Sequence, residues 1–331
     1  MTANAISARI PEYVDEHRLE LTGAERAALR TMAEELAATA SGLVDEPGWL
    51  ARARELSCRL PARLLDAVRA YRHDPGAQGT LIVAGLPIDE DALPDTPGVP
   101  ESVERHATIP AATATLIGLQ LGEIVAYREE KSGALVQNVV PVRGLESSQS
   151  NAGSVELEFH VENAFHPCRP DFVGLTCLRQ AQGRPAGTLV SSIRHALPLI
   201  DDADREVLHQ PRFVTAPPPS FHSGEPTAAH PVLDGSPEDP NICVDFNATV
   251  ALDDEAKQAL ERLRQTLIDT SVSVELRSGE MVFVDNRIVL HGRADFTPRY
   301  DGRDRWLQRI FVHLDGRRSR VHRTRNGAVM A

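Results

Sequence analysis

The chain has 331 residues, of which 42% are hydrophobic and 25% are charged, with 47 acidic against 35 basic residues and a formal net charge of −12. This composition is typical of a globular protein with a large core and excludes wholesale disorder. The acidic balance disfavours nucleic acid or an anionic membrane as the main partner, but it allows a local basic pocket for a small anion.

The cysteines and the N-terminal sequence both indicate a reducing compartment. The cysteines are scattered without a CxxC pair, which predicts reduced thiols at Cys58, Cys168, Cys177 and Cys243. The N-terminal MTANAISARIPEYVDEHRLEL lacks the apolar segment of a secretory signal, and no stretch reaches the roughly 18 apolar residues of a membrane span. We therefore expect a cytoplasmic protein with no membrane partner.

Helical patterns come first along the chain. Thr22 and Glu25 fit a capping box ahead of apolar residues at helical spacing. A second helical stretch is predicted over 46–72, with a break near Pro61. We assign residues 1–75 to a helical N-terminal layer.

A strand, a loop and a helix are predicted next. GTLIVAGLP, residues 79–87, is typical of a buried strand that ends in a turn. The acidic and proline-rich segment 88–103 predicts a loop, and a further helix is predicted over 111–122.

From Ala134 onward the pattern changes to short apolar runs broken by Gly, Pro, Asn and Asp. The strand candidates are ALVQNVVPV, VELEFHVE, DFVGLTCLR, GTLVSSI, NICVDF, SVSVEL and MVFVDN. A run of strands with irregular connections predicts a barrel or jelly roll. An amphipathic helix interrupts it after Asp253, and the segment 216–241 is too rich in Pro and Gly for regular structure, which predicts a functional loop. The simplest assembly is a single domain with a β core over 79–320.

One histidine–glutamate pair and a later histidine have the side chains of a metal site. His160 and Glu162 share one face of VELEFHVEN if that segment is extended, although a lone HxE also occurs by chance on surface strands. His291 follows a late strand candidate, whose end a sandwich can bring beside an early strand. Two imidazoles and a carboxylate cover one side of an Fe(II) ion and leave the other side open for a cosubstrate and O₂. A zinc hydrolase or a non-catalytic cupin-like binding protein are the alternatives.

Two arginines downstream favour iron. Arg305 and Arg309 in RWLQRIF point to the same face of a strand, while Trp306 points to the other. A dicarboxylate cosubstrate that chelates the metal leaves a distal carboxylate in the core, and a guanidinium pairs with it through two parallel hydrogen bonds. Ordinary salt bridges with nearby acids are the alternative for each arginine.

Long motifs resemble those of the clavaminate synthase-like Fe(II)/2-oxoglutarate-dependent oxygenases, above all the asparagine β-hydroxylases and the related arginine and lysine hydroxylases. They are HVENAFHPCRPDFVGL, VDNRIVLHGRADFTPRYDGRDRWLQR, ALVQNVVP and SNAGS, and the likeness covers about residues 79 to 320. The resemblance implies one oxygenase domain over 1–331. Its core would be a double-stranded β-helix, which is a jelly-roll or cupin-like fold, with helices packed outside.

The resemblance also implies roles by position. His160, Glu162 and His291 match the iron ligands on which the catalysis centres. Arg305 and Thr188 match the arginine and the threonine that hold the distal carboxylate of 2-oxoglutarate.

A second group of residues matches the substrate site of the family. Arg309 matches the arginine that takes the α-carboxylate of an amino acid, and Glu130, Gln137 and Asn151 lie in segments that surround its α-amino and α-carboxylate groups. Asp245 falls where the family meets the substrate side chain, although a turn-capping aspartate is the alternative. Relatives with cationic substrates carry Asp-x-Asp here, whereas Asp-Phe-Asn in this chain suits a neutral carboxamide or ureido group.

The activity implied by the resemblance is hydroxylation of a free L-amino acid at Cβ, with 2-oxoglutarate and O₂, for secondary-metabolite or non-ribosomal peptide precursors. Asparagine is the first candidate, and hydroxylation or desaturation of arginine, citrulline, glutamine or lysine is the alternative. Glu162 favours hydroxylation, since halogenating relatives lack this carboxylate. We expect the loops 88–103, 128–133 and 216–241 to close over the site, and we expect a monomer or small homo-oligomer without a nucleic-acid partner.

Overall fold

Seven α-helices lie within the residues that the computed structural model describes, which are 17–40, 42–183, 186–218, 221 and 224–331. They are α1 (Gly23–Ala37), α2 (Pro47–Ser57), α3 (Ala62–His73), α4 (Ile109–Gly118), α5 (Ile193–Ala196), α6 (Asp202–Leu208) and α7 (Asp254–Asp269). α1 begins at the predicted capping box, since Thr22 Oγ1 accepts from the Glu25 N–H at 3.3 Å and Glu25 Oε2 accepts from the Thr22 N–H at 2.8 Å. α2 and α3 confirm the predicted break near Pro61. No helix in this part of the chain combines the length and apolar character needed to span a bilayer.

The described residues also form strands, most of them in the second half of the chain. In chain order they are β1 (Arg18–Glu20), β2 (Thr80–Ala84), β3 (Val103–Glu104), β4 (Glu123–Tyr127), β5 (Val136–Val139), β6 (Leu157–His160), β7 (Phe172–Arg179), β8 (Thr188–Ser192), β9 (Phe213–Thr215), β10 (Leu233–Ser236), β11 (Asp239–Ile242), β12 (Thr249–Ala251), β13 (Val272–Val274), β14 (Met281–Asp285), β15 (Val289–Arg293), β16 (Trp306–His313) and β17 (Val329–Met330).

Two mainly antiparallel sheets share one core, which confirms the predicted jelly roll. The larger sheet has the order β1-β2-β14-β7-β16-β4-β17, with β5 also paired to β16 and β3 to β5, and the smaller has the order β13-β8-β15-β6. Leu307 and Phe311 of β16 join a hydrophobic cluster that includes Val190 and Leu290 of the smaller sheet. One face of the larger sheet therefore packs against the smaller sheet.

The helical layer covers the opposite face of the larger sheet. Ile310 and Val312 alternate with the inward-facing residues of β16 and pack in a second cluster with residues of α1 to α4. α4 contacts β7 and β16 directly and in turn contacts α1 and α2. The face of β16 that carries Leu307 and Phe311 is therefore left for the interior between the sheets.

Three details differ from the sequence-based expectations. The segment 216–241 is not irregular throughout, because β10 and β11 form a hairpin that is closed by a turn at Pro237 and Glu238. Gly235 lies within β10 with a φ of 89°. α5 and α6 were not predicted, since helices of four and seven residues are too short to show a clear period. β6 ends at His160, so Glu162 comes from the following turn and not from the strand itself.

Candidate active site

Three side chains of metal-ligand type meet on the smaller sheet. β6 and β15 run antiparallel and pair His160 directly with His291, and the centroids of the two rings are 4.5 Å apart. Oε2 of Glu162 lies 3.5 Å from Nε2 of His291. One ligand atom from each of the three residues lies within 4.8 Å of the others, so a single ion could contact all three.

Backbone hydrogen bonds orient two members of this triad. Nδ1 of His160 lies 2.9 Å from the backbone oxygen of Glu158, and because a carbonyl only accepts, Nδ1 carries the proton and Nε2 is left for an ion. The Asn286 carboxamide accepts from the Glu162 N–H at 2.7 Å and donates to the backbone oxygens of Glu162 and Pro170 at 3.1 and 2.9 Å. Asn286 therefore holds the turn that carries Glu162.

The local charges favour the protonation states that bind a metal. Burial lowers the pKa of the His291 imidazole, and the neighbouring His160 lowers it further. Burial alone would raise the pKa of the Glu162 carboxyl, but Arg309 and the two histidines outweigh it and hold that pKa well below its usual range. Nδ1 of His291 is buried without a hydrogen-bond partner among the described residues. Two neutral imidazoles and one carboxylate form a donor set that fits Fe(II).

A cavity of about 40 Å³ joins the triad to Arg305 and Thr188. Thr188 is the first residue of β8, and Arg305 directly precedes β16 on the inward face. Arg305 is 7% exposed, and no carboxylate in the described part of the chain forms an ion pair with it. Burial lowers the pKa of its guanidinium to about 10. Because an uncompensated buried charge is unfavourable, this position favours an anionic ligand.

A second buried arginine lines the same cavity and was missed in the sequence. Arg293 donates from Nη1 to the backbone oxygen of Ser150 at 3.1 Å and from Nη2 to that of Val155 at 2.9 Å. Burial and the charge of Arg305 lower its pKa to about 9. The motif His-Gly-Arg could have indicated Arg293, because Arg293 is two residues after His291 and side chains two apart on a strand lie on the same face. The cavity therefore has two cationic groups and suits a dianion.

Arg309 is the centre of a second polar cluster, in which the predicted substrate residues gather. Its Nη1 donates to Oε2 of Glu162 at 2.9 Å, its Nε donates to Oε1 of Gln137 at 3.1 Å, and its Nη2 forms an ion pair with Glu130. A flipped carboxamide of Asn151 would accept from Nη1 and Nη2 at 3.2 and 3.0 Å. Gln137 is buried behind Arg309, so it reaches the site through the guanidinium.

Glu130 is carried by a turn with unusual backbone angles. Lys131, Ser132 and Gly133 have φ values of 46°, 54° and 69°, and the first two are costly for residues with a side chain. The ammonium group of Lys131 is buried and donates to the backbone oxygens of Ser102 and Asn138 at 3.1 and 2.5 Å. These contacts tie the turn to β5 and hold Glu130 beside Arg309.

A wider cavity of about 170 Å³ opens on the other side of the triad. Its lining includes His160, Arg309, Asp245 and Phe221, so it joins the metal-type ligands to the predicted substrate residues. Oδ1 of Asp245 accepts from the backbone N–H of Asn247 at 2.8 Å. Asp245 therefore caps a turn, which was the alternative predicted for it, and it also lines the cavity.

Known proteins match the chain in sequence and in fold. Residues 98–311 match the family Taurine catabolism dioxygenase TauD, TfdA. The chain is 44% identical to L-asparagine oxygenase of Streptomyces coelicolor, over 100% of this chain and 98% of that protein. It is 35% identical to clavaminate synthase 2 of Streptomyces clavuligerus, over 85% of this chain and 90% of that protein.

A solved structure gives the same result. The crystal structure of asparagine oxygenase in complex with Fe(II), 2S,3S-3-hydroxyasparagine and succinate superimposes with a TM-score of 0.93 at 44% identity, covering 95% of this chain and 99% of that chain. Since the match extends over nearly the whole of both proteins, the chain belongs to the TauD/TfdA family of dioxygenases.

Proposed function

We propose that this protein is an Fe(II)- and 2-oxoglutarate-dependent hydroxylase that acts on a free L-amino acid at Cβ, with L-asparagine as the first substrate candidate. The observation that carries the proposal is the continuous cavity between the His160–Glu162–His291 triad and Arg305, a buried guanidinium without a carboxylate partner among the described residues. Membership of a dioxygenase family favours this activity over a zinc hydrolase.

His160, Glu162 and His291 would hold the iron through one atom each. When bound, the iron supplies O₂ activation, so that 2-oxoglutarate is oxidised to succinate and CO₂ while one oxygen atom enters succinate and the other a C–H bond of the substrate. Three protein ligands leave positions open for 2-oxoglutarate and O₂. The two hydrogen bonds between the Asn286 carboxamide and the backbone of Glu162 would keep the Glu162 carboxylate oriented toward the iron.

Arg305 and Thr188 would bind the distal carboxylate of 2-oxoglutarate. A guanidinium forms two parallel hydrogen bonds with a carboxylate, and the threonine hydroxyl can donate a third. Arg293 adds positive charge in the same cavity. The cosubstrate would thereby neutralise charges that are otherwise buried without an acid.

Arg309 and Glu130 would bind the α-carboxylate and the α-ammonium group of the amino acid. They form an ion pair in this structure, and a zwitterion can insert because it offers each of them the opposite charge. Asn151 and Gln137 would orient the guanidinium, and Asp245 would accept a hydrogen bond from the substrate side chain. These contacts would place Cβ of the substrate next to the iron site, and a shift of about 1 Å would change which hydrogen atom is removed.

The similarity to L-asparagine oxygenase supports asparagine as the substrate and Cβ as the position. We keep hydroxylation or desaturation of arginine, citrulline, glutamine or lysine as the alternative. The chain would act as one domain, in the cytoplasm, as a monomer or small homo-oligomer. In support, all four cysteines are free thiols, and one chain supplies every site residue named above.

The test is a panel of free L-amino acids incubated with Fe(II), ascorbate and 2-oxoglutarate, with mass spectrometry to detect the gain of one oxygen atom. L-asparagine should gain one oxygen in step with succinate release, and NMR of the product should place the hydroxyl at Cβ. His160→Ala should abolish both signals. The proposal fails if no free amino acid gains oxygen while a carrier-bound one does, or if turnover does not require 2-oxoglutarate.

A further inference from the structure

The wide cavity has more acidic groups than the proposed reaction uses. Glu130, Glu158, Glu162 and Asp245 all line it. In the proposed function, Glu162 binds the metal and Glu130 binds the α-ammonium group of the substrate. Asp245 accepts a hydrogen bond from the substrate side chain, so Glu158 is the acidic residue of the lining that has no assigned role.

The carboxylate of Glu158 is neutralised by a residue outside the cavity lining. Arg264 of α7 donates from Nη2 to Oε1 and Oε2 of Glu158 at 2.9 and 3.1 Å. The side chains of Glu158 and Arg264 are 33% and 28% exposed, so the pair is only partly screened by solvent. Glu158 stands two residues before His160 in β6 and thus shares its face. Asp245, in contrast, has no ion pair with a cation of the described residues.

The charges around this pair come from several elements. Nη1 of Arg264 also lies 3.7 Å from Glu261 on the same helix. Glu156 lies close enough to Glu158 to have its carboxyl pKa raised, first by burial and then by that neighbouring charge. Removal of Arg264 would therefore leave an uncompensated acidic group at the cavity wall.

We propose that Arg264 determines specificity by neutralising Glu158, so that the cavity accepts an uncharged side chain and disfavours a guanidinium or ammonium group. The inference rests on the proposed function and names the residue that sets its substrate class. The NH₂ group of a carboxamide can donate to Asp245, and because it is uncharged it needs no second carboxylate. A cationic side chain is stabilised by a second free carboxylate and repelled by Arg264.

The experiment compares L-arginine with L-asparagine in the full-length enzyme. The inhibition constant of L-arginine against asparagine turnover is measured together with any arginine hydroxylation, so a result is obtained even when arginine is not a substrate. Arg264→Met should lower the inhibition constant by about two- to fivefold, as for loss of a partly exposed charge contact, while the KM for 2-oxoglutarate stays unchanged. Arg264→Lys keeps the charge and should behave like the wild type.

A matched control lies two residues away on the same helix. Arg262 donates from Nε and Nη2 to the Asp204 carboxylate, at 2.6 Å each, and Asp204 does not line the cavity. Arg262→Met removes a comparable charge from α7 and should leave the inhibition constant unchanged. Glu158→Gln should raise the inhibition constant of L-arginine, because it leaves the charge of Arg264 without a partner. In the double variant Glu158→Gln with Arg264→Met, the decrease caused by Arg264→Met alone should disappear.

The outcomes separate this inference from the proposed function. If the wild type hydroxylates no free amino acid, the proposed function fails; if it hydroxylates arginine in place of asparagine, the specificity role of Arg264 is wrong while the hydroxylase function stands. If the wild type hydroxylates asparagine and the inhibition constant of L-arginine is no lower in Arg264→Met than in Arg262→Met, the specificity role is also wrong. If Arg264→Met does not fold, Glu158→Gln alone tests the specificity role. An unchanged inhibition constant of L-arginine in Glu158→Gln would refute the role of the Glu158–Arg264 pair.

Discussion

At the scale of single residues, the site is defined by charges that the protein does not neutralise by itself. Arg305 is buried without a carboxylate partner in the described part of the chain, and Arg293 lies in the same cavity with only backbone oxygens as acceptors. Such groups reduce the stability of the free protein. Their presence is explained when an anionic ligand completes the site, as 2-oxoglutarate would.

Arg305→Ala should raise the KM for 2-oxoglutarate on the order of 100-fold, because removal of one partner of a buried charge pair costs several kcal/mol of binding. Initial rates of succinate formation against 2-oxoglutarate concentration measure it. The KM of Arg305→Lys for 2-oxoglutarate should lie between those of the wild type and Arg305→Ala, because an ammonium group keeps the charge but cannot form the two parallel hydrogen bonds. An unchanged requirement for 2-oxoglutarate in Arg305→Ala would remove Arg305 from this role.

Asp245→Asn should change the choice of side chain more than the use of cosubstrate. A carboxylate accepts hydrogen bonds strongly, and its replacement by an amide should lower kcat/KM for asparagine about tenfold. The KM for 2-oxoglutarate should move by less than about twofold. Parallel saturation curves for the two substrates test this, and an equal effect on both would assign Asp245 to the turn alone.

At the scale of elements, the pairing of β6 with β15 brings the two histidines together. Gly292 directly follows His291, and a Cβ at this position would lie 2.6 Å from the backbone oxygen of Leu157 on the neighbouring strand. The strands approach this closely only because residue 292 has no side chain. The register also shifts between His291 and Arg293, which marks an irregularity beside the site.

Gly292→Ala should push β6 away from β15 and weaken Fe(II) binding by about 10- to 100-fold, the range found when groups that support metal ligands are lost. Anaerobic titration with Fe(II) measures the affinity. Gly23→Ala is the control, because a Cβ there meets nothing within 4 Å. Equal affinities in the two variants would show that this close approach does not set the ligand spacing.

At the scale of the whole molecule, the two sheets form the two walls of the site. The smaller sheet carries His160, His291 and Thr188, whereas β16 of the larger sheet carries Arg309. The helical layer occupies the other face of the larger sheet and does not line either cavity. Ligands bound between the sheets should therefore link both walls and stabilise the fold.

Binding of Fe(II) should raise the melting temperature of the protein. Fe(II) added without O₂ at about 100 times its Kd should stabilise the folded state by about 2.7 kcal/mol and raise the Tm by on the order of 5 °C. Differential scanning calorimetry with and without a chelator gives this shift. His160→Ala should show no shift, and an equal shift in that variant would place the metal elsewhere.

The local chemistry of the site was readable from the sequence. The alternation of side chains along a strand correctly put Arg305 and Arg309 on one face and Trp306 on the other, since both arginines line one cavity and Trp306 packs in a separate cluster. The capping box at Thr22 correctly marked the start of α1. These features depend on neighbouring residues only, so a short window contains the information. Long motifs likewise led to the correct family.

Only the tertiary structure decided which distant residues meet. The contact of Arg264 with Glu158, the position of Gln137 behind Arg309 and the shared cavity of Arg293 and Arg305 join segments that lie far apart in the chain. Strand register and the packing of two sheets set these distances, and both result from many weak contacts summed over the core. The sequence by itself determined the reactive groups and their faces, and the fold determined their partners.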